Sequence, residues 1–239
     1  MRRKVGSSTA SPATEHDPAP ATSAVAFFDM DRTLLTANSA SLWLKFERGE
    51  GRLSRLDMAR GLFWLLQYQL GVADMDTITK RALALSAGYD VAEIEARVER
   101  WYESMVRPTI SRHATHCIAE HRAAGHEIAI LTASTQFGAS LLAKELEIDH
   151  LFCTRLEVDS AGRLTGRMEG SLCYGQEKLE QATAFAMARG MELSDAWFYS
   201  DSYSDLPLLE TVGHPVAVNP DLRLARHARR CGWPIESFT

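Results

Sequence analysis

The stretch Val25-Ala26-Phe27-Phe28-Asp29-Met30-Asp31-Arg32-Thr33 is the starting point for interpreting the chain. Its four apolar residues stop at an acidic one, which is typical of a strand buried on both faces of a parallel sheet. Similar apolar runs recur at 128–131, 196–199 and 216–218. Helical patterns lie between the runs, at about 110–124, 135–147, 175–189 and 221–230. This alternation predicts an α/β fold built on a doubly wound parallel sheet.

From about Asn38 to Arg107 the pattern changes, because this part has only amphipathic helical spacing and no strand-like run. The apolar residues that recur at helical intervals are Leu53, Leu56, Leu62, Phe63, Leu66, Leu70, Ile94, Val98 and Trp101. Pro108 marks the return to the sheet. We therefore predict a helical cap domain, residues 38–107, inserted after the first strand of a core domain made of residues 24–37 and 108–239.

Two other segments depart from the alternation of strands and helices. Residues 156–165 alternate apolar and polar side chains around Gly162, which predicts a hairpin. Residues 1–23 are rich in Ser, Thr, Ala and Pro and predict a disordered leader.

The composition restricts the class of protein. The 239 residues are 46% hydrophobic and 24% charged, as in soluble globular proteins, which excludes a disordered or collagen-like chain. A net charge of −5 argues against a nucleic-acid partner. Since no apolar run approaches the roughly 18 residues of a membrane span, we expect no stable membrane insertion. Four scattered cysteines without a C-x-x-C pair favour reduced thiols and a cytoplasmic location; the oligomeric state is not predicted.

Small polar or acidic residues follow three of the four apolar runs. The first is followed by Asp29, Asp31 and Thr33, the second by Thr132 and Ser134, and the third by Asp201 and Asp205. Lys178 lies near the start of the helix between the last two runs. Alone, an aspartate after a strand is most often a helix N-cap. Because a parallel sheet brings these ends together, the set instead predicts carboxylates around Mg²⁺, with a lysine and a hydroxyl for phosphate oxygens.

These motifs resemble those of the haloacid dehalogenase (HAD) superfamily, in its phosphoserine-phosphatase-like branch (subfamily IB). The D-x-D-x-T signature is Asp29-Met30-Asp31-Arg32-Thr33, and the strand that ends in a hydroxyl residue is Ile130-Leu131-Thr132. The third motif is Lys178, and the fourth, D-x-x-x-D, runs from Asp201 to Asp205. The helical segment is similar to the C1-type cap of that family. The resemblance implies a HAD-like core of Rossmann type.

The resemblance also implies a Mg²⁺-dependent phosphatase that acts on a small phosphorylated substrate. In that case Asp29 would be the nucleophile and would form an aspartyl-phosphate intermediate. Asp31 would protonate the leaving alkoxide and later take a proton from water.

The remaining roles follow from the same resemblance. The metal would be held by Asp29, by the backbone carbonyl of Asp31 and by Asp201. The phosphoryl oxygens would be bound by Thr132, Ala133 and Lys178. Asp205 would order Lys178 and the shell of the metal.

Three departures bear on the substrate. Asn38 stands where phosphoserine phosphatases have a glutamate for the substrate ammonium, and is a candidate contact from the cap. Residues 132–135 are Thr-Ala-Ser-Thr, where phosphoserine phosphatases have Ser-Gly-Gly-Phe. Residues 200–202 are Ser-Asp-Ser, where those enzymes have Gly-Asp-Gly. Phosphoserine, histidinol phosphate, a glycerophosphate or lipid-derived phosphate, and a broad range of phosphomonoesters therefore stay open.

Two other activities would use similar residues. A phosphotransferase that passes the phosphoryl group to an acceptor other than water has the same site. A receiver-like signalling module also has an aspartate, a Ser/Thr and a lysine at its strand ends, but the helical insertion and Asp31 argue against it.

Three further groups of residues have a structural and a functional interpretation. We predict that His113, His116 and His121, with Glu120, form a solvated helix side rather than a metal face. We predict that Trp43, Phe46, Phe63, Trp64 and Tyr68 form the core of the helical domain rather than a wall over a substrate. We predict that Arg223, Arg226, Arg229 and Arg230 form the surface of the last helix rather than a site for an anionic membrane.

Overall fold

A computed structural model describes residues 24–54, 56, 63 and 75–239. The predicted leader, residues 1–23, lies outside the described residues. So do several positions of the predicted cap pattern: Leu62, Trp64, Leu66, Tyr68 and Leu70.

The described strands form one seven-stranded sheet in the order β4-β3-β2-β1-β5-β6-β7. They are β1 (Val25–Phe28), β2 (Glu127–Thr135), β3 (His150–Val158), β4 (Leu164–Glu169), β5 (Trp197–Ser200), β6 (His214–Val218) and β7 (Ile235–Glu236). Neighbouring strands run parallel except β4, which is antiparallel to β3. The predicted α/β class and parallel sheet are confirmed, with an antiparallel edge strand.

Strand β1 lies in the middle of the sheet and is buried on both faces. All four of its residues are 0% exposed. Val25 and Phe27 belong to one apolar cluster, and Ala26 and Phe28 to the other, because successive side chains point to opposite faces. Burying each phenylalanine contributes about 2–3 kcal/mol. The residue after Phe28 is therefore held at the centre of one sheet edge.

Helices cover both faces of the sheet. The described helices are α1 (Ser39–Gly49), α2 (Met75–Ala84), α3 (Val91–Trp101), α4 (Arg112–Ala123), α5 (Gln136–Glu145), α6 (Gln176–Ala188), α7 (Leu206–Leu209) and α8 (Leu222–Cys231). Apolar residues of α1, α3, α4 and α5 belong to the cluster of Phe28, and those of α6, α7 and α8 to the cluster of Phe27. The sheet is doubly wound, as predicted.

The segment between β1 and α4 has helices and turns but no strand among its described residues. It contains α1, α2 and α3, followed by single turns at Tyr102–Val106 and Arg107–Thr109. Within 38–54 and 75–107 the extended pairing is limited to an isolated bridge between Asp90 and Arg163. The helical insertion agrees with the prediction, whereas the domain boundaries at residues 38 and 107 stay a prediction.

The predicted hairpin is present but is longer than residues 156–165. Leu156 pairs with Met168 and Val158 with Leu164, so β3 and β4 form its arms. The first half of β3 was not predicted, and it pairs in parallel with β2 from His150 onward. The hairpin thereby extends the central sheet instead of standing apart from it.

The prediction of a solvated histidine side on α4 is wrong for His121. Its side chain is 7% exposed and contacts the Tyr199 hydroxyl at 2.9 Å and His126 at 2.8 Å between ring nitrogens. His113 and His116 are exposed, as predicted. A helix places residues about 100° apart, so His121 can face the sheet while its neighbours face water.

Except for Phe63, the described residues of the aromatic and arginine groups have the expected surroundings. The Trp43 ring packs edge-on against Trp101, with centroids 5.4 Å apart, and Phe46 lies beside it. Phe63, in contrast, is exposed. The four arginines of α8 all face solvent. Among the helices of the described ranges, none is long and apolar enough to cross a membrane.

Candidate active site

The predicted site residues meet at the carboxyl edge of three adjacent strands. Phe28 pairs with Ile130 of β2 and with Tyr199 of β5, so Asp29, Thr132 and Asp201 follow at nearly the same level. The backbone N–H of Asp29 continues the ladder by donating to the Tyr199 carbonyl at 2.9 Å. Parallel strands bring their ligands to this edge, so the fold brings the motifs together as the sequence predicts.

A buried lysine joins two of the predicted carboxylates. Lys178 lies in the first turn of α6, and its Nζ donates to Asp29 Oδ1 at 2.6 Å and to Asp205 Oδ2 at 2.7 Å. The Ser200 hydroxyl donates to the same Asp205 oxygen at 2.7 Å. Lys178 is 2% exposed, so its charge depends on these partners.

Burial and charge act in opposite directions on this group. Burial opposes the charge of Lys178, but Asp205 and Asp29 outweigh it and hold the pKa of the ammonium above its usual range. Burial also raises the pKa of Asp29, with Lys178 as the largest opposing influence and Asp205 acting in the same direction as burial. The lysine therefore keeps its charge and favours an ionised Asp29.

Asp201 completes the group of carboxylates. Burial, followed by the charges of Asp29 and Asp205, raises the pKa of Asp201 to about 8. Its side chain forms no hydrogen bond with another residue of the described part. Asp201 is therefore close enough to the other two carboxylates to feel their charge and has oxygens available for a ligand.

The Asp31 carboxylate is held separately, by the start of α1. Oδ1 accepts from the Ser39 backbone N–H at 2.8 Å, and Oδ2 accepts from Asn38 Nδ2 at 3.0 Å and from the Ser39 hydroxyl at 3.1 Å. Burial raises the pKa of Asp31, and the two hydrogen bonds from Ser39 oppose this. Asn38, the predicted substrate contact, uses its amide to hold Asp31 and to cap α1 through the Ser41 N–H.

Thr132 and Ala133 lie where β2 becomes irregular. The pairing register with β3 shifts between Thr132 and Thr135, and such bulges re-aim side chains next to active sites. The Thr132 hydroxyl accepts from the Ser134 N–H at 3.1 Å and keeps its own proton for another acceptor. The Ala133 carbonyl accepts from the Thr154 hydroxyl at 2.9 Å, which ties this turn to β3.

The turn after Asp31 contains a residue in a strained conformation. Arg32 has φ of 56°, in the left-handed region that non-glycine residues rarely adopt. Its carbonyl accepts from Asn219 Nδ2 at 2.8 Å, and the Asn219 Oδ1 accepts from the Phe238 N–H at 3.1 Å. The C-terminal segment thus supports the turn that carries Asp29 and Asp31.

A bound cation would find oxygen ligands here but no complete cage. Within the described residues, no three His, Cys, Asp or Glu side chains converge as a metal-binding group. Magnesium is usually held by one or two carboxylates, with water and substrate oxygens as its other ligands. The Asp29 and Asp201 carboxylates therefore suit magnesium better than a metal that needs an all-protein cage.

The sequence interpretation gave no role of their own to four polar residues of the site. They are Ser39, Ser134, Ser200 and Asn219. Ser39 directly follows a residue with the character of a helix cap, and Ser134 and Ser200 flank motif residues, so proximity in sequence was an available signal. Asn219 carries no such signal, because it is far from Arg32 along the chain.

Comparison with known proteins identifies the family. The profile described as haloacid dehalogenase-like hydrolase matches residues 26–210. Over 218 residues the chain is 31% identical to a protein named histidinol-phosphatase from Neisseria meningitidis, covering 90% of this chain and 98% of that one. Over 223 residues it is 33% identical to a protein named phosphoserine phosphatase from Mycobacterium tuberculosis, covering 90% of this chain and 71% of that one.

A solved structure supports the same relationship. A protein of unknown function from Bordetella pertussis Tohama I is 30% identical, with a TM-score of 0.83 over 91% of this chain and 100% of that one. The chain therefore belongs to the haloacid dehalogenase-like hydrolases, as an enzyme of their phosphoserine-phosphatase-like group of phosphatases.

Proposed function

We propose that this enzyme is a Mg²⁺-dependent phosphomonoesterase that works through an aspartyl-phosphate intermediate on a small phosphorylated metabolite. The observation that carries the proposal is the contact of Lys178 with both Asp29 and Asp205 at the sheet edge. An ionised carboxylate held beside a permanent cation is suited to attack an anionic phosphate, which would otherwise repel it.

In the first step Asp29 attacks phosphorus with one carboxylate oxygen. Lys178 donates to Oδ1, whereas Oδ2 accepts no hydrogen bond from the described residues, so we propose Oδ2 as the attacking oxygen. The new O–P bond forms as the ester P–O bond breaks, and the leaving alkoxide takes a proton from Asp31. Lys178 and the Thr132 hydroxyl offset the charge on the phosphoryl oxygens.

In the second step water hydrolyses the aspartyl phosphate. Asp31, now ionised, takes the proton from water while the water oxygen attacks phosphorus, which restores Asp29 and releases phosphate. The separate hydrogen bonds of Asp31 suit this double role, because they fix its position without tying it to Lys178.

The charges of the site support a divalent cation. Asp29, Asp201 and Asp205 with Lys178 leave two uncompensated negative charges when all are ionised, which one Mg²⁺ would neutralise. Asp205 Oδ1 is buried without a hydrogen-bond partner among the described residues, so the site has an acceptor to spare. We propose that Asp29, Asp201 and the Asp31 backbone carbonyl hold the ion, which would act as a Lewis acid on the phosphoryl group.

The substrate class is proposed from the start of α1. Phosphoserine-type recognition of an ammonium needs a carboxylate, whereas Asn38 is neutral and its amide is already engaged by Asp31 and Ser41. We therefore propose small phosphomonoesters without strict phosphoserine specificity; phosphoserine and histidinol phosphate both carry an ammonium, so Asn38 does not distinguish between them. Water is the proposed acceptor, and the cytoplasm is the proposed location, in keeping with four free thiols.

The test is hydrolysis of p-nitrophenyl phosphate, with and without a chelator, followed by a panel of phosphorylated metabolites. Asp29→Asn should lower kcat by on the order of 10³-fold or more, because the neutral amide cannot form the intermediate. Chelation should abolish activity and added Mg²⁺ should restore it.

Asp195→Asn is the matched control, because Asp195 is an exposed aspartate just before the other end of β5. This variant should keep full activity. Hydrolysis that survives Asp29→Asn or chelation would contradict the proposed mechanism. Phosphorylated alcohols among the products, when alcohols are added, would instead identify a phosphotransferase.

A further inference from the structure

The carboxylate of Asp31 is oriented by a different part of the chain from the one that carries it. Asp31 belongs to the turn after β1, but the three hydrogen bonds that its side chain accepts from described residues come from Asn38 and Ser39 at the start of α1. Ser39 provides two of them, one from its backbone and one from its hydroxyl. Ser39 is 5% exposed, so water does not readily replace these bonds.

The distribution of donors distinguishes the two oxygens of Asp31. A carboxylate oxygen has two lone pairs. Among the described residues, Oδ2 accepts from two donors, Asn38 Nδ2 and the Ser39 hydroxyl, whereas Oδ1 accepts from one, the Ser39 N–H. Oδ1 therefore keeps a free lone pair, and it is the oxygen that can carry and release a proton.

The Ser39 hydroxyl also connects α1 to the turn that carries Thr132. A hydroxyl has one proton, and the Ser39 hydroxyl donates its proton to Asp31 Oδ2. In the 3.1 Å contact between Ser39 Oγ and Ser134 Oγ, the Ser134 hydroxyl is therefore the donor and Ser39 the acceptor. Ser134 stands where the phosphoserine-phosphatase pattern has glycine, which cannot supply this bond. The chain Ser134 to Ser39 to Asp31 thus includes a residue, Ser134, at which this protein departs from that pattern.

From this geometry we infer that Ser39 is a positioning residue that holds Asp31 so that Oδ1 transfers the proton. The inference rests on the proposed function. In the first step the Oδ1–H bond breaks and an O–H bond forms on the leaving oxygen as its bond to phosphorus breaks. In the second step a proton of the attacking water returns to Oδ1.

The test uses the dependence of the rate on the leaving group. An alkyl phosphate has a poor leaving group that needs the proton, whereas 2,4-dinitrophenyl phosphate has a good one that does not. Release of the alcohol in a single turnover isolates the first step. The readout is the ratio of the rates for the two substrates. A variant with less correctly folded enzyme would lose both rates equally, so that ratio would not change.

Ser39→Ala should slow release of the alcohol from the best alkyl phosphate of the metabolite panel by about 10–100-fold. The rate for dinitrophenyl phosphate should change by less than about threefold, since no protonation is needed. Ser39→Thr, which keeps the hydroxyl, should restore most of the alkyl rate. Ser41→Ala is the matched control, because the Ser41 hydroxyl donates to Asn38 Oδ1 from the same helix turn and does not touch Asp31.

Each outcome tests the role of Ser39 separately from the proposed phosphatase activity. Equal losses for both substrates, no loss for either, or a Ser39→Thr variant as slow as Ser39→Ala would overturn the role of Ser39 and leave the phosphatase intact. The same leaving-group effect in Ser41→Ala would also overturn it, because the effect would then not depend on contact with Asp31. If the unmodified enzyme hydrolyses neither substrate, the proposed function fails, and the inference fails with it.

Discussion

Lys178 carries a positive charge in a part of the molecule that excludes water. Removing an ammonium from water costs several kcal/mol, and the cost is recovered only when the geometry of its partners is good. Asp29 and Asp205 satisfy this condition with hydrogen bonds of 2.6 and 2.7 Å. The lysine is therefore both a structural link between β1, α6 and the turn after β5 and a fixed charge beside the proposed nucleophile.

His121 gives a prediction about stability at low pH. Burial, followed by the charges of His126 and His214, lowers the pKa of His121 to about 4. Between about pH 6.5 and 4 the unfolded chain binds a proton at this residue that the folded protein does not, so stability falls as the pH is lowered through this window. The contribution of His121 to unfolding free energy should be smaller by about 2 kcal/mol at pH 5 than at pH 7.5.

Urea unfolding of the parent enzyme and of His121→Gln at both pH values measures this effect. Glutamine keeps a polar group near the Tyr199 hydroxyl but does not titrate, so the variant should lose about 2 kcal/mol less on acidification. His113→Gln is the control, since His113 is exposed on the same helix and should leave the pH dependence unchanged. An identical pH dependence in His121→Gln and the parent would show that His121 is not buried in its neutral form.

Residue types at the strand ends could be predicted from the sequence, but their supporting partners could not. Asp29, Thr132 and Asp201 follow short apolar runs, and a parallel sheet necessarily brings such positions together. Asn38 and Ser39 have the character of an ordinary helix start. Whether a capping residue also holds a catalytic carboxylate depends on how the chain turns after β1. The hydrophobic periodicity of the sequence carries no information about that turn. For the same reason the buried side of α4, with His121, was assigned incorrectly.

The hairpin β3–β4 shows how an element at the sheet edge holds the helical insertion. Gly88 N–H donates to the Leu164 carbonyl at 2.8 Å, and Leu164 N–H donates to the Tyr89 carbonyl at 2.9 Å. Next to this pair, Gly166 has φ of +79°, and a Cβ there would lie 3.0 Å from Ala87 Cβ and 3.3 Å from Ala84 Cα. The end of α2 therefore packs directly on the backbone of β4.

Gly166→Ala should destabilise the protein more than Gly162→Ala. Gly162 also has a positive φ, of +74°, but a Cβ there would meet nothing within 4 Å. In both variants alanine has to adopt a left-handed backbone conformation, which lowers the free energy of unfolding by about 1–2 kcal/mol. Gly166→Ala should lose about 1–3 kcal/mol more, because its methyl group overpacks against α2. Denaturant unfolding of the two variants measures the difference. Equal losses of unfolding free energy would show that α2 does not pack against β4 in solution.

The elements with a clear hydrophobic periodicity were predicted. The elements that depend on pairing with a strand distant in sequence were not. The helices α4, α5, α6 and α8 agree with their predicted ranges to within a few residues. In β3, polar Thr154 and Arg155 interrupt the apolar alternation, and Thr154 is accommodated because its hydroxyl bonds to the Ala133 carbonyl on β2. Such a strand is stabilised by a neighbour that is distant in sequence, so a local pattern does not reveal it.

At the scale of the whole molecule, the negative net charge and the proposed anionic substrate have to be reconciled. A chain with net charge −5 repels phosphate at long range, but that repulsion is screened over about 8–10 Å at physiological salt. Within the site the local charge matters more, and there Lys178 and a bound Mg²⁺ would face the phosphoryl group. The acidic residues that contribute to the net charge are thus, in part, the ones proposed to hold the cation.

Because the proposed site joins β1, β5 and α6, occupying it should stabilise the whole fold. Beryllofluoride with Mg²⁺ mimics an aspartyl phosphate, and at 100 times its dissociation constant such a ligand adds about 2.7 kcal/mol of unfolding free energy. For a chain of this size that corresponds to a rise in Tm of about 5–10 °C. Thermal unfolding should show this rise only when Mg²⁺, beryllium and fluoride are all present, and Asp29→Asn should abolish it while Asp195→Asn keeps it. A rise that persists in Asp29→Asn would mean that the ligand binds elsewhere, and Asp29 would then not be the residue that is phosphorylated.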